Sequence, residues 1–313
     1  MDIHINNSFS IIENKKTKAI AEEIMKIIFL VCAFFAVLAV FSITIYMILN
    51  GTPAIFKIGL KEILFETQWA PTAADPKYGI LYVILTSIVG TTFAVLIGVP
   101  TGVLTAVFIA EVAPKQLTAI VKPAVELLAG IPSVIYGLLG IMILNPFMYK
   151  IEKIIFKGSS THQFTGGSNL ISAIIVLAIM ILPTVINISE SSIRAVPREM
   201  RSASLALGAS KIQTIFKVVL PVARSGIMSA IVLGVGRAIG EAMAITLVSG
   251  SSVNLPLPFN SVRFLTTAIV AEMGYAADEH RQVLFTIGLI LFFFIMVVNT
   301  VFAKLLSTNE KEK

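Results

Sequence analysis

Residues 169–189 read NLISAIIVLAIMILPTVINIS, a run of 21 positions without one charged side chain. In a helix, at 1.5 Å per residue, that run covers about 31 Å, the hydrocarbon thickness of a bilayer. Five further apolar runs lie on either side of it: about Met25–Leu49, Gly79–Ala110, Leu117–Met148, Gly226–Ser249 and Val283–Leu306. Composition points the same way. Of 313 residues 56% are hydrophobic and 13% charged, against about 25% charged in soluble domains. The expected fold is all-α, a polytopic membrane protein with six transmembrane helices. Two runs exceed 30 residues, so each is tilted, broken or continued beyond the bilayer. Pro100, in Gly98-Val-Pro-Thr-Gly102, and Pro132, in Gly130-Ile-Pro-Ser133, mark expected sites of local unwinding. The short run Phe264–Gly274 cannot span and reads as interfacial or re-entrant.

The expected organisation is a polar tail over 1–24, a first helix over 25–49, a transmembrane core over 79–306 and a solvated tail over 307–313. The first run is too long for the apolar region of a signal peptide and is read as an uncleaved helix. Net charge is +6. With both termini on one side, Lys15, Lys16 and Lys18 and the basic residues of 194–225 share that side, and the opposite loops hold fewer cations. The positive-inside rule places that side in the cytoplasm. The basic character therefore belongs to loops and does not call for nucleic acid. Trp69, the single tryptophan, is expected at the outer headgroups.

Several chemistries lack their residues. Cys32 is the only cysteine, so no intrachain disulfide forms. His4, His162 and His280 are too far apart to suggest a metal set, and no GxxxxGK[ST] loop is present. The chain is expected to bind no cofactor or metal and to hydrolyse no ATP itself.

Between the fourth and fifth runs, Ser202-Ala-Ser-Leu-Ala-Leu-Gly208-Ala-Ser210 precedes Lys211-Ile-Gln-Thr-Ile-Phe-Lys217 and Val218-Val-Leu-Pro221. Ala203, Leu205, Ala206 and Leu207 favour helix, Gly208 breaks it, and Ser210 can cap a second short helix. Ile212, Ile215 and Phe216 would share its exposed face, and Pro221 would end it. Two readings stand: a basic loop packed beneath its own bundle, or an amphipathic docking element for a cytoplasmic partner.

In the fifth run, Gly226, Ala230, Gly234, Ala238 and Ala242 recur at every fourth position. This ridge permits close helix packing, within the bundle or against a partner. Arg237 lies about 16 Å beyond Gly226, near the midplane. There a charge costs at least about 2.5–3.5 kcal/mol and must face protein or a wet cavity. Glu241 follows at i+4, within reach of the guanidinium. Either the two neutralise each other, or Arg237 attracts an anion in a transport pathway while Glu241 keeps binding reversible. Thr101 and Ser133, at the proline bends, are weaker candidates for the pathway.

Gly208, nine residues, then Val218-Val-Leu220-Pro221 resembles the EAA signature of ABC importer permeases, with Ser202-Ala203-Ser204 in place of the usual Glu-Ala-Ala. The resemblance implies that Ala203, Leu207, Gly208, Ala209, Leu220 and Pro221 belong to a loop coupling the permease to its ATPase. Glu126-Leu-Leu-Ala-Gly130-Ile-Pro-Ser-Val, Gly236-Arg-Ala-Ile-Gly-Glu241-Ala-Met-Ala and Leu265-Thr-Thr-Ala-Ile-Val-Ala-Glu272 resemble the phosphate-specific (Pst) permeases, and Leu220-Pro-Val-Ala-Arg224-Ser-Gly-Ile favours the C-type subunit. This implies a five-helix importer core plus an accessory first helix in the bacterial plasma membrane, moving inorganic phosphate inward. It implies an A-type permease partner, two ATPase subunits that hydrolyse the ATP, and an extracytoplasmic phosphate-binding protein. Arg237 and Glu241 would then be its transport-critical charges. The same architecture carrying sulfate or molybdate is the alternative. An ion-coupled transporter is less favoured, because no pair of equivalent hydrophobic halves is visible.

Overall fold

A computed structural model describes residues 3–310, with side chains for 21–301 and 304. Among the described residues, six helical stretches are long and apolar enough to cross a bilayer. The chain divides by its internal contacts into two units, Met1–Asn50 and Gly51–Lys313.

The first unit lies within helix α1, Ile3–Ile58, longer at both ends than the 25–49 expected. The hydroxyl of Thr44 donates to Val40 O at 2.8 Å and the Asn50 amide to Tyr46 O at 2.8 Å. Polar side chains thus satisfy themselves on the preceding turn, as lipid requires.

In the second unit, the last turns of α1 pack against residues 285–289, with Gly51 O accepting from the Thr286 hydroxyl at 2.8 Å. There follow α2 (Leu60–Phe65), a two-stranded antiparallel hairpin of β1 (Trp69–Ala70) and β2 (Lys77–Tyr78), and α3 (Leu81–Val107). After α3 come α4 (Lys115–Gly130), α5 (Ser133–Leu139), α6 (Asn145–Ile155) and α7 (Leu170–Arg194). Then come α8 (Arg198–Ala206), α9 (Lys211–Thr214), α10 (Leu220–Gly240), α11 (Met243–Val248), α12 (Leu265–Glu272) and α13 (Asp278–Glu310). Single π-helical turns occupy Phe108–Val112, Gly140–Leu144 and Ile215–Val219.

Helix α7 is the central post, between α3 and α10. Its Leu177, Met180, Ile181 and Val185 are fully buried. Side-chain volume is removed from the flanking helices where these residues need room. A methyl at Gly98 would lie 2.6 Å from Ile181, one at Gly102 would lie 2.8 Å from Val185, and one at Gly234 on α10 would lie 2.9 Å from Val185. The small-residue ridge of α10 therefore packs within this bundle, and close helix approach recovers dispersion energy across the whole seam.

The breaks differ from those expected in physically explicable ways. The Pro132 break is present: α4 ends at Gly130 and α5 begins at Ser133. At Pro100 the helix continues, with the Thr101 hydroxyl donating to Ile97 O at 2.6 Å and lying 3.1 Å from Gly98 O. The carbonyl that Pro100 leaves without its helical donor is that of Leu96, one position before the one the threonine hydroxyl bonds. Pro221 ends nothing; it sits in the first turn of α10, where its absent N–H is harmless. The run over 226–249 is interrupted at Glu241 and Ala242. The 264–274 run forms the short helix α12, and α13 begins five residues earlier than expected and reaches Glu310. The end of the expected tail, 311–313, lies outside the described residues.

Candidate functional site

The interruption after Gly240 creates the candidate site. Glu241 is extended, with φ −72° and ψ 128°, so the i+4 geometry linking it to Arg237 does not exist. Instead Glu241 Oε1 accepts from Ala244 N at 2.9 Å, which caps α11, and Glu241 O accepts from the Thr266 hydroxyl at 2.7 Å. Arg237 donates from Nη1 to the Thr184 hydroxyl at 3.1 Å, across to α7. Among the described residues no ion pair joins Arg237 to Glu241; mutual neutralisation is overturned. The guanidinium keeps further donors available while a neutral hydroxyl fixes its direction.

Helix α12 completes this region. Its first N–H, on Leu265, donates to Ser87 Oγ at 2.8 Å, and Ser87 in turn donates to Val83 O at 3.0 Å. Ser87 on α3, Thr184 on α7 and Thr266 on α12 were missed as partners in the sequence. Their only signal was a hydroxyl in an apolar run, and many such hydroxyls simply bond the preceding turn. Thr101 does that here, and Ser133 opens α5.

At the C-terminal end of α12, Glu272 is a buried hub. Its carboxylate accepts from Trp69 Nε1 at 3.1 and 3.2 Å, from Arg263 Nη1 and from His280 Nε2 at 2.7 Å. Trp69 is thus a hydrogen-bond donor within the protein, a role its position in the sequence did not suggest. Its ring also meets those of Tyr78 and His280 edge-on. Burial, and then the charge of Glu279, raise the Tyr78 phenol above its ordinary pKa.

The loop after α7 forms a second candidate surface. Helix α8 closes with Gly208 at φ +85°, its N–H donating to Leu205 O at 3.0 Å and that of Ala209 to Ser204 O at 3.2 Å. This is a Schellman end, which selects glycine because it tolerates positive φ. Ser210 and Gln213 form a reciprocal capping box on α9. Leu207 and Ile212 are 89% and 70% exposed, and Phe216 also stands outward. Ile215 was expected beside them but is buried, because the π turn over 215–219 rotates it inward. Ala203 and Pro221 are exposed, and Leu220 is half-buried. Arg201 anchors the loop through Glu111 Oε1 at 2.8 Å and Ile193 O at 2.7 Å.

Residues 98–309 match a family described as the binding-protein-dependent transport system inner membrane component. The chain belongs to this family. As an inner membrane component of that kind, it is a multi-pass transport subunit. The "Probable ABC transporter permease protein YqgH" of Bacillus subtilis (strain 168) is 37% identical over 297 residues, covering 92% of this chain and 93% of that protein. The "Phosphate transport system permease protein PstC" of Xylella fastidiosa (strain 9a5c) is 33% identical over 303 residues, covering 93% of each. A solved bacterial ABC transporter involved in import of the acidic polysaccharide alginate aligns at a TM-score of 0.60 and 16% identity, over 90% of this chain and 98% of that one. That likeness establishes the inner membrane component's fold.

Proposed function

We propose that this chain is the C-type permease of an ATP-driven importer carrying inorganic phosphate into the cytoplasm. The observation that carries the reading is Arg237, a cation within a membrane span held by a neutral hydroxyl and unpaired with Glu241. A guanidinium with open donors suits the oxygens of an oxyanion. The likeness to a phosphate permease supports phosphate over sulfate or molybdate. In this reading both termini are cytoplasmic, an A-type permease completes the pathway, and an extracytoplasmic protein delivers phosphate. Two cytoplasmic ATPase subunits hydrolyse ATP and receive the 200–219 loop; this chain holds no cofactor.

Radiolabelled phosphate uptake in phosphate-starved cells lacking the protein, with and without its restoration, tests the substrate. Phosphate uptake should fall and recover while sulfate uptake stays constant. A change in sulfate uptake alone would discard the substrate and keep the architecture.

The loop assignment has its own test. Ala209→Pro removes the N–H that donates to Ser204 O and opens the α8 end. The assembled complex should keep ATP hydrolysis but lose coupled uptake. Normal coupling in the variant complex would reject the docking role.

A further inference from the structure

A cleft of about 620 Å³ opens where α4, the π turn over 108–112 and the end of α7 meet, and its charged lining is Lys115, Lys122, Glu126 and Arg194. On α4, positions 115, 118, 122 and 126 share one face by helical spacing. Beneath them lies Glu190, whose side chain is 3% exposed. Lys122 Nζ donates to its two oxygens at 3.2 and 3.1 Å, and Arg194 Nε donates to Oε1. Arg194 Nη2 also reaches Ile109 O at 3.2 Å. One buried carboxylate therefore fixes two cations on one wall while both remain about two-fifths exposed, at 39% and 44%. Arg194 Nη1 has no hydrogen bond among the described residues. Lys115, on the same wall, has no hydrogen bond or ion pair among the described residues.

Three cations face the cleft against Glu126 on its lining and Glu190 below, so the site carries a net positive charge. It lies at the end of the spanning helix α7, the depth at which headgroup phosphates occur. We propose that this cleft is a binding site for a phosphoryl anion, bridged by Lys122 and Arg194 and closed by Lys115. A guanidinium beside an ammonium matches the spread oxygens of a phosphoryl group, and basic pockets between transmembrane helices hold such groups. The chemistry fits two sources, an anionic phospholipid headgroup and free inorganic phosphate. The inference is independent of which anion the pathway carries.

The test uses the purified transporter complex carrying Lys115→Gln and Lys122→Gln, which leave Glu190 paired with Arg194. Native mass spectrometry in phosphatidylglycerol-containing micelles counts retained lipid, and equilibrium binding of radiolabelled phosphate is measured in an Arg237→Gln background to silence the pathway. Phosphatidylglycerol retained by the parent and weakened about tenfold or more by the double change would assign a lipid headgroup. Saturable phosphate binding lost in the same variant, with lipid retention unchanged, would assign the free ion. Glu126→Gln should strengthen whichever binding is found, because it removes a like charge. If neither probe responds to the lysine changes, or Glu126→Gln weakens binding, the proposal is overturned.

Discussion

Arg237→Gln is expected to lower phosphate uptake about a hundredfold or more while the protein still inserts. Two charge-assisted hydrogen bonds to an oxyanion contribute about 1.5–3 kcal/mol each, and each 1.36 kcal/mol is a factor of ten. Glutamine retains a donor for Thr184, so the seam between α10 and α7 keeps its one observed polar contact. Insertion should improve slightly, since a charge leaves the membrane. Uptake of radiolabelled phosphate, normalised to membrane-inserted protein by immunoblot, gives the result. Normal uptake by a well-inserted variant would remove Arg237 from the pathway.

Glu272→Ala should produce the largest loss of stability, about 3–5 kcal/mol, because it strands buried charge and donors. Arg263 and His280 are 15% and 8% exposed at their side chains, and neither has enough water to replace the carboxylate. The Trp69 indole would lose its acceptor as well. Since Trp69 is the only tryptophan of the chain, its emission reports directly on the hub. In detergent the variant should show a red-shifted emission and a markedly lower midpoint in thermal unfolding. An unchanged midpoint would show that the hub contributes little. Glu272→Gln should fall between the two, because one amide oxygen can still accept while the amide nitrogen opposes Arg263.

Four of the spanning helices were legible because lipid demands long apolar runs, and 169–189 could hardly be anything else; the other two lie over 133–155 and 211–240, displaced from the expected 117–148 and 226–249. The Gly208 bend and Ser210 cap were legible because both rest on local backbone chemistry. The break at Glu241 was not. Glu241 and Ala242 are good helix formers, and α10 stops through tertiary partners: Ala244 N claims the carboxylate and Thr266, 25 residues later, claims the carbonyl. The hydrogen bond of Trp69 was hidden for the same reason, its acceptor lying 203 residues away. Periodicity reports which faces are apolar. It is silent on which distant polar groups meet.

The π turn over 140–144 runs on without a break from α5 into α6, and this carries a consequence for chain length. A π turn holds one residue more than an α turn, so the segment stores a single surplus position between α5 and α6. Deleting one residue there would close the turn to α geometry and leave both flanking helices in phase. The same deletion at Ile181–Ile186, inside α7, would turn every later side chain of that helix by about 100° and carry Val185 out of the glycine notches that receive it. Length variation among homologous chains should therefore collect at 140–144 and 215–219 and avoid the central post.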